Sequence, residues 1–134
     1  MNDRCQNAIS LTLGASKVTG TTVNAKLDAN YVNGVCTLQN KNKNGPFGVW
    51  YYFAGAQTGY ASSIVMNFGA ATAGVYIFEG SACSSLTCLA SFQATGSFSY
   101  PIWLSCGSSK VTYYILIEGA TGTLSTFDIQ VITW

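Results

Sequence analysis

The stretch Gly74–Phe92, GVYIFEGSACSSLTCLASF, reads as a β-strand, a loop closed by two cysteines and a second strand. Val75, Tyr76, Ile77 and Phe78 are apolar at successive positions, as suits a strand covered on both faces in a two-layer core. Four residues separate Cys83 from Cys88, so the two are within reach of a bridge across the tip of the loop. So small a ring removes little chain entropy, worth about 2 kcal/mol by loop closure. Such a bridge shapes an exposed tip more than it holds up a fold.

Outward from this hairpin, short β-rich runs recur at regular intervals. They span Ala8–Leu13, Lys17–Asn24, Gly48–Ala54, Ser62–Phe68, Gly74–Glu79, Thr87–Phe92, Ser97–Leu104, Lys110–Glu118 and Ser125–Thr133. No segment keeps the i, i+3, i+4 apolar pattern of a helix, and 14 glycines punctuate the chain. Val49–Phe53 and Tyr113–Ile117 are continuously apolar and read as central strands. Phe127, Ile129 and Val131 alternate with Asp128 and Gln130, the mark of a half-buried strand. Pro101 demotes Ser97–Leu104 to an edge or bulged strand. Eight or nine strands without helices predict an all-β, antiparallel β-sandwich of jelly-roll type. With no internal repeat or linker-like shift in composition, residues 1–134 read as one domain. One long irregular segment, Asp28–Phe47, carries Cys36 and the polar run Gln39–Pro46. Loops of this length are often functional, and a solvated loop pinned at Cys36 is the plain alternative.

Composition narrows the function. Only 8% of residues are charged, against about 25% in an ordinary soluble domain, so Ser, Thr, Asn, Gln and Gly must make up the surface. The net charge of +1, with basic residues dispersed, leaves no footprint for nucleic acid. No apolar run approaches the length of a membrane span, and no leader is visible after Met1. Five cysteines point to an oxidising compartment. Without histidine or a Cys-x-x-Cys pair, they do not suggest zinc. Five is odd, so at least one thiol stays unbridged within the chain.

Several ordered segments resemble the bacterial pre-peptidase C-terminal domain family and its eukaryotic relatives. Asn2-Asp3-Arg4-Cys5-Gln6-Asn7-Ala8 is similar to the N-D-x-C-x-x-A opening of that family, and Gly20-Thr21-Thr22 with Ala25 to its G-x-T…A element. Gly48-Val49-Trp50-Tyr51-Tyr52-Phe53 resembles its G-V-W-Y-x-F strand. Val75–Gly80 with Cys83, Leu86, Thr87 and Cys88 resembles its central segment, and Thr112–Gly119 with Gly122 and Phe127 its ending. The resemblance implies a jelly-roll sandwich cut from a larger secreted protein and acting as a non-catalytic module. It also implies a second bridge, Cys5–Cys36, beside Cys83–Cys88, and leaves Cys106 as the odd thiol. Some relatives hold calcium through acidic residues. Here Ala71, Thr72 and Ala73 replace the family's F-D-T, and the Asp-Asp run after the second cysteine is missing. No cofactor or metal is therefore expected.

Catalysis finds little support in the residues. The usual general base of serine and cysteine nucleophiles is absent along with histidine. Glycoside hydrolysis needs two opposed carboxylates, and Glu79 and Glu118, each before a glycine at a strand end, form the one candidate pair; solvated strand ends are the plain alternative. Tyr31, Phe47, Tyr60 and Tyr100 lie in or beside expected loops and are candidates for stacking on sugar rings, whereas Trp50, Tyr52, Tyr113 and Tyr114 are assigned to the core. The expected function is an extracellular, non-catalytic binding or adhesion module for a polysaccharide or a protein surface. A self-assembling subunit of a fibre or surface layer is the alternative.

Overall fold

A computed structural model describes residues 1–26, 36, 47–55, 62–102, 111–119, 124 and 126–133. These residues form seven strands: β1 Ile9–Ser10, β2 Val18–Gly20, β3 Gly48–Ala54, β4 Ser62–Glu79, β5 Thr87–Ile102, β6 Thr112–Gly119 and β7 Phe127–Thr133. Among the described residues the only helical turns are two short 3-10 turns, at Cys5–Asn7 and Cys83–Ser85. The chain is an all-β, sandwich-like fold, and β4 is its axis.

β4 is flanked along almost its whole length by β5, and its other edge is divided between two partners. Ala73–Glu79 pairs with β6, while Ser62–Asn67 pairs with β7. Each half of β4 therefore belongs to a different layer. The first layer runs β1-β3-β6, then the second half of β4 and the first half of β5; the other runs β2-β7, then the remaining halves. The bend between them coincides with a break in register between Asn67 and Thr72, and with positive φ at Gly69 (59°) and Gly96 (72°). A residue without a Cβ enters that region at little steric cost.

The two segments read as separate strands on either side of Gly69 are thus one strand, as are the two on either side of Gly96. That reduces the expected eight or nine strands to seven among the described residues. A second correction concerns direction. β1 runs parallel to β3, so the sheet is mixed rather than wholly antiparallel. The long second run also ends early, because Thr22–Ala25 closes a turn, with Asn24 at φ 64° and Ala25 N–H donating to the Thr22 carbonyl. β5 is an edge strand with Pro101 opposite Ser63, as the proline predicted.

Between the layers lies the main core. Val49, Tyr51 and Phe53 of β3, Tyr113, Ile115 and Ile117 of β6, and Val75 and Ile77 of β4 face Ile64, Met66, Phe127, Ile129 and Val131 of the other layer. Tyr51 meets Phe127 edge-on across the gap, ring centroids 6.1 Å apart, a favoured aromatic geometry. The opposite parity on the first layer is also buried. Trp50, Tyr76, Phe78 and Leu116 form a second cluster with Cys5 and Cys36. This explains why the central strands are apolar at every position: the first layer is covered on both faces.

Candidate ligand-binding cleft

The outer face of the first layer is organised in cross-strand rows. Gly48, Glu118 and Gly74 make one row, Trp50, Leu116 and Tyr76 the next, and Tyr52, Tyr114 and Phe78 the last. The first two rows lie under cover; Trp50, Leu116, Tyr76 and Glu118 are all buried. In the last row Tyr52 and Tyr114 are half-buried. Their rings stack with centroids 5.8 Å apart and an interplanar angle of 29°, as side chains directly opposite on antiparallel strands can do.

Two covalently joined turns build walls around this pair. The N-terminal segment is held to β3 by a reciprocal exchange: Trp50 N–H donates to the Asn2 carbonyl at 2.7 Å, and Asn2 Nδ2 donates to the Trp50 carbonyl at 2.7 Å. Its 3-10 turn places Cys5, Gln6 and Ala8 beside the tyrosines. From the hairpin tip come Ser81, Cys83 and Ser84. Gly80 lets the tip fold back, since a Cβ there would lie 2.5 Å from the Ser85 carbonyl oxygen. The open cleft that the two turns border has a volume of about 570 Å³. It offers two ring faces, an amide and serine hydroxyls.

The Cys5–Cys83 disulfide locks the two turns together, with Cα atoms 5.9 Å apart, and Cys36–Cys88 fastens a second point of the chain to the same face. This corrects the expected pairing. The four cysteines anticipated as bridged are bridged, with partners exchanged. Cys83 sits in the 3-10 turn at the tip, whereas Cys88 has already returned to β5 opposite Phe78. Sequence proximity places them on diverging paths, and each meets a cysteine from a distant segment.

The two strand-end glutamates do not form a pair. Glu79 is opposite Tyr113 and Glu118 opposite Gly74, five register steps or about 17 Å along the strands. Glu118 has no exposed surface and accepts a hydrogen bond from the Tyr76 hydroxyl, so it is not a solvated strand end. Glu79 lies at the open end, where its charge adds to the larger effect of burial in raising the Tyr113 phenol above its ordinary pKa.

Of the aromatic residues proposed for stacking, Tyr31 and Tyr60 fall outside the described residues, as does Cys106. Phe47 is half exposed just before β3, at the end of that strand away from Tyr52. Tyr100 is not beside a loop. It lies within β5, partly buried against the main core and stacked on Phe92 at 5.7 Å. The two that are described, Phe47 and Tyr100, lie apart, one just before β3 and the other in the second half of β5. Tyr52 and Tyr114, assigned to the core from sequence, line the cleft instead. Their signal was faint: each is a polar-tipped ring in an otherwise apolar run, on the parity opposite Tyr51 and Tyr113.

No protein-family model matches the chain, and no curated protein matches it. Among solved structures, the chain is similar to the pre-peptidase C-terminal domain of collagenase from Bacillus anthracis, over 92% of this chain and 95% of that one, with a TM-score of 0.48 and 13% sequence identity.

Proposed function

We propose that the protein is an extracellular, non-catalytic binding module and that the Tyr52–Tyr114 cleft takes a segment of polysaccharide. The observation that carries this reading is the stacked tyrosine pair, half-buried at the floor of a cleft whose walls are joined by a disulfide. Sugar rings present apolar C–H faces and equatorial hydroxyls, and aromatic faces ringed by small polar groups complement both. Gln6, Ser81 and Ser84 supply those polar groups here. Walls held by a disulfide lose little freedom when a ligand arrives, which conserves affinity. Two disulfides fit an oxidising compartment. The distance between Glu79 and Glu118, and the burial of the latter, argue against the one carboxylate pair considered for glycoside hydrolysis.

Titration calorimetry against a panel of soluble oligosaccharides, with pull-down on insoluble polysaccharides, tests the reading. Tyr52→Ala and Tyr114→Ala are each expected to weaken binding about tenfold, since a well-placed aromatic contact is worth on the order of 1 kcal/mol or more. Thermal unfolding of the same variants checks that the sheet is intact. Affinity that both variants leave unaltered would remove the cleft from consideration.

A further inference from the structure

We propose that the Cys5–Cys83 bridge is a redox latch on the tyrosine cleft: reduction by a thiol frees one wall and weakens the hold on glycan, and bound glycan in turn opposes the reduction. This rests on the glycan reading of the cleft and adds its regulation. Both cysteines line the open cleft together with Tyr52 and Tyr114, so the bond is reached through the space that the ligand fills. Cys83 is partly exposed and Cys5 is buried. A thiolate entering the cleft therefore attacks the Cys83 sulfur; the S–S bond breaks, and Cys5 leaves as a thiolate that takes up a proton. A second thiol then cleaves the mixed disulfide and releases Cys83 as a thiol. Two electrons have passed to the bridge, and the two reducing thiols are left joined as a disulfide.

Once the bridge opens, the two walls are held unequally. The N-terminal turn is fixed to β3 on both sides. Before it, Asn2 and Trp50 exchange two hydrogen bonds. After it, Ile9 and Ser10 pair with Tyr51 and Tyr52, and Leu11 N–H donates to the Tyr52 carbonyl at 2.8 Å. The hairpin tip is fastened at its base, where Gly80 N–H donates to the Thr112 carbonyl at 3.1 Å, and within itself, where Ser85 N–H donates to the Ala82 carbonyl at 3.0 Å. Its tie across the cleft is Cys83. Reduction thus leaves Gln6 and Ala8 in place and frees Ser81, Ala82 and Ser84. A wall that each ligand must order anew costs affinity, and the coupling between ligand and bridge is reciprocal. The other bridge lies to one side. Cys88 stands in the same cross-strand row, two strands over from Tyr114, about 10 Å away. Its sulfur and that of Cys36 are each 3.7 Å from the Ala90 carbonyl oxygen.

The test titrates the oxidised chain and a Cys5→Ser, Cys83→Ser double variant with the β-1,4-linked hexamers of glucose and of N-acetylglucosamine. The double variant is expected to bind about tenfold more weakly, the cost of ordering one wall. Its Ser85 amide should exchange hydrogen faster, while the Leu11 and Trp50 amides, bonded to Tyr52 and Asn2, keep their native rates. A second arm needs no variant to fold. The native chain is equilibrated at graded ratios of reduced to oxidised dithiothreitol and labelled with iodoacetamide, so that peptide masses read each bridge separately. Saturating hexamer should raise the ratio needed to open Cys5–Cys83 about tenfold, by the same coupling, and leave Cys36–Cys88 unaltered. Equal affinities, or a hexamer that shields both bridges alike as general stabilisation of the fold would, overturn the proposal while leaving the cleft standing. Unaltered exchange at Ser85 overturns it whichever sugar binds. If neither hexamer binds the oxidised chain, the glycan reading fails and this inference with it.

Discussion

Glu118 shows how far a residue's neighbours can redirect it. It sits between Gly48 and Gly74 in its cross-strand row, and a Cβ at Gly48 would lie 2.5 Å from the Ile117 carbonyl oxygen, so the neighbouring strands meet closely there. Burying such a group without partners is costly. The Tyr76 hydroxyl, from the adjacent row, donates to it, and both residues have further contacts besides. Tyr76→Phe should lower stability by about 1–3 kcal/mol, the cost of removing one donor from a buried acceptor. Urea denaturation measures this, and an unchanged midpoint would show that the hydroxyl contributes nothing. Glu79 and Glu118 have the same local signature, a glutamate before a glycine at a strand end. One is buried at the closed end of the face and the other opens into a hollow. The difference comes from which rows lie above them, and a window of a few residues contains no trace of it. Tyr52 and Tyr113 illustrate the same point. Both are tyrosines in central strands, and parity alone sends one to the cleft and the other to the core.

At the level of elements, the β4–β5 hairpin determines the architecture. Its bend places one strand pair in both layers, so the layers are joined by backbone hydrogen bonds as well as by side-chain packing. Gly69 gives a clean probe of that bend, because its φ is 59° and a Cβ built there meets no atom within 4 Å. Gly69→Ala should therefore cost about 1 kcal/mol through backbone conformation alone, read from thermal or chemical unfolding. A neutral substitution would mean that the bend relaxes without loss. Much of the fold was legible in the sequence at this scale. The runs at Val49–Phe53 and Tyr113–Ile117 become central strands, and Phe127, Ile129 and Val131 turn inward. The Gly69–Gly74 interval misled because glycine serves a chain-reversing turn and a bulge within a continuing strand equally well. Only the partner strands distinguish them, and β5 stays paired with β4 on both sides of the interval.

For the molecule as a whole, the cysteines matter most. A Cys83–Cys88 ring would have been local, but the bridges actually formed span 78 and 52 residues. By loop closure each restricts the unfolded chain by about 4 kcal/mol, roughly twice the value for the small ring. Spacing could nominate the cysteines but not pair them, since pairing follows from which turns the finished sheet brings together. The Cys5–Cys83 bridge also governs how the molecule answers tension. When the chain is pulled by its ends, force passes from Cys5 directly into Cys83, and the residues between them bear none of it. Fewer than half of the 134 residues remain to be drawn out, so the extended length stops at roughly 200 Å instead of roughly 470 Å. Single-molecule stretching should show the short increment in oxidising buffer and the long one after reduction; equal increments would mean that the bridge does not shield that segment. A tether of this kind gives way over the residues that follow Cys83, Ser84 and Tyr114 of the cleft among them, and then holds at the bridge, with the segment between Cys5 and Cys83 carrying no load.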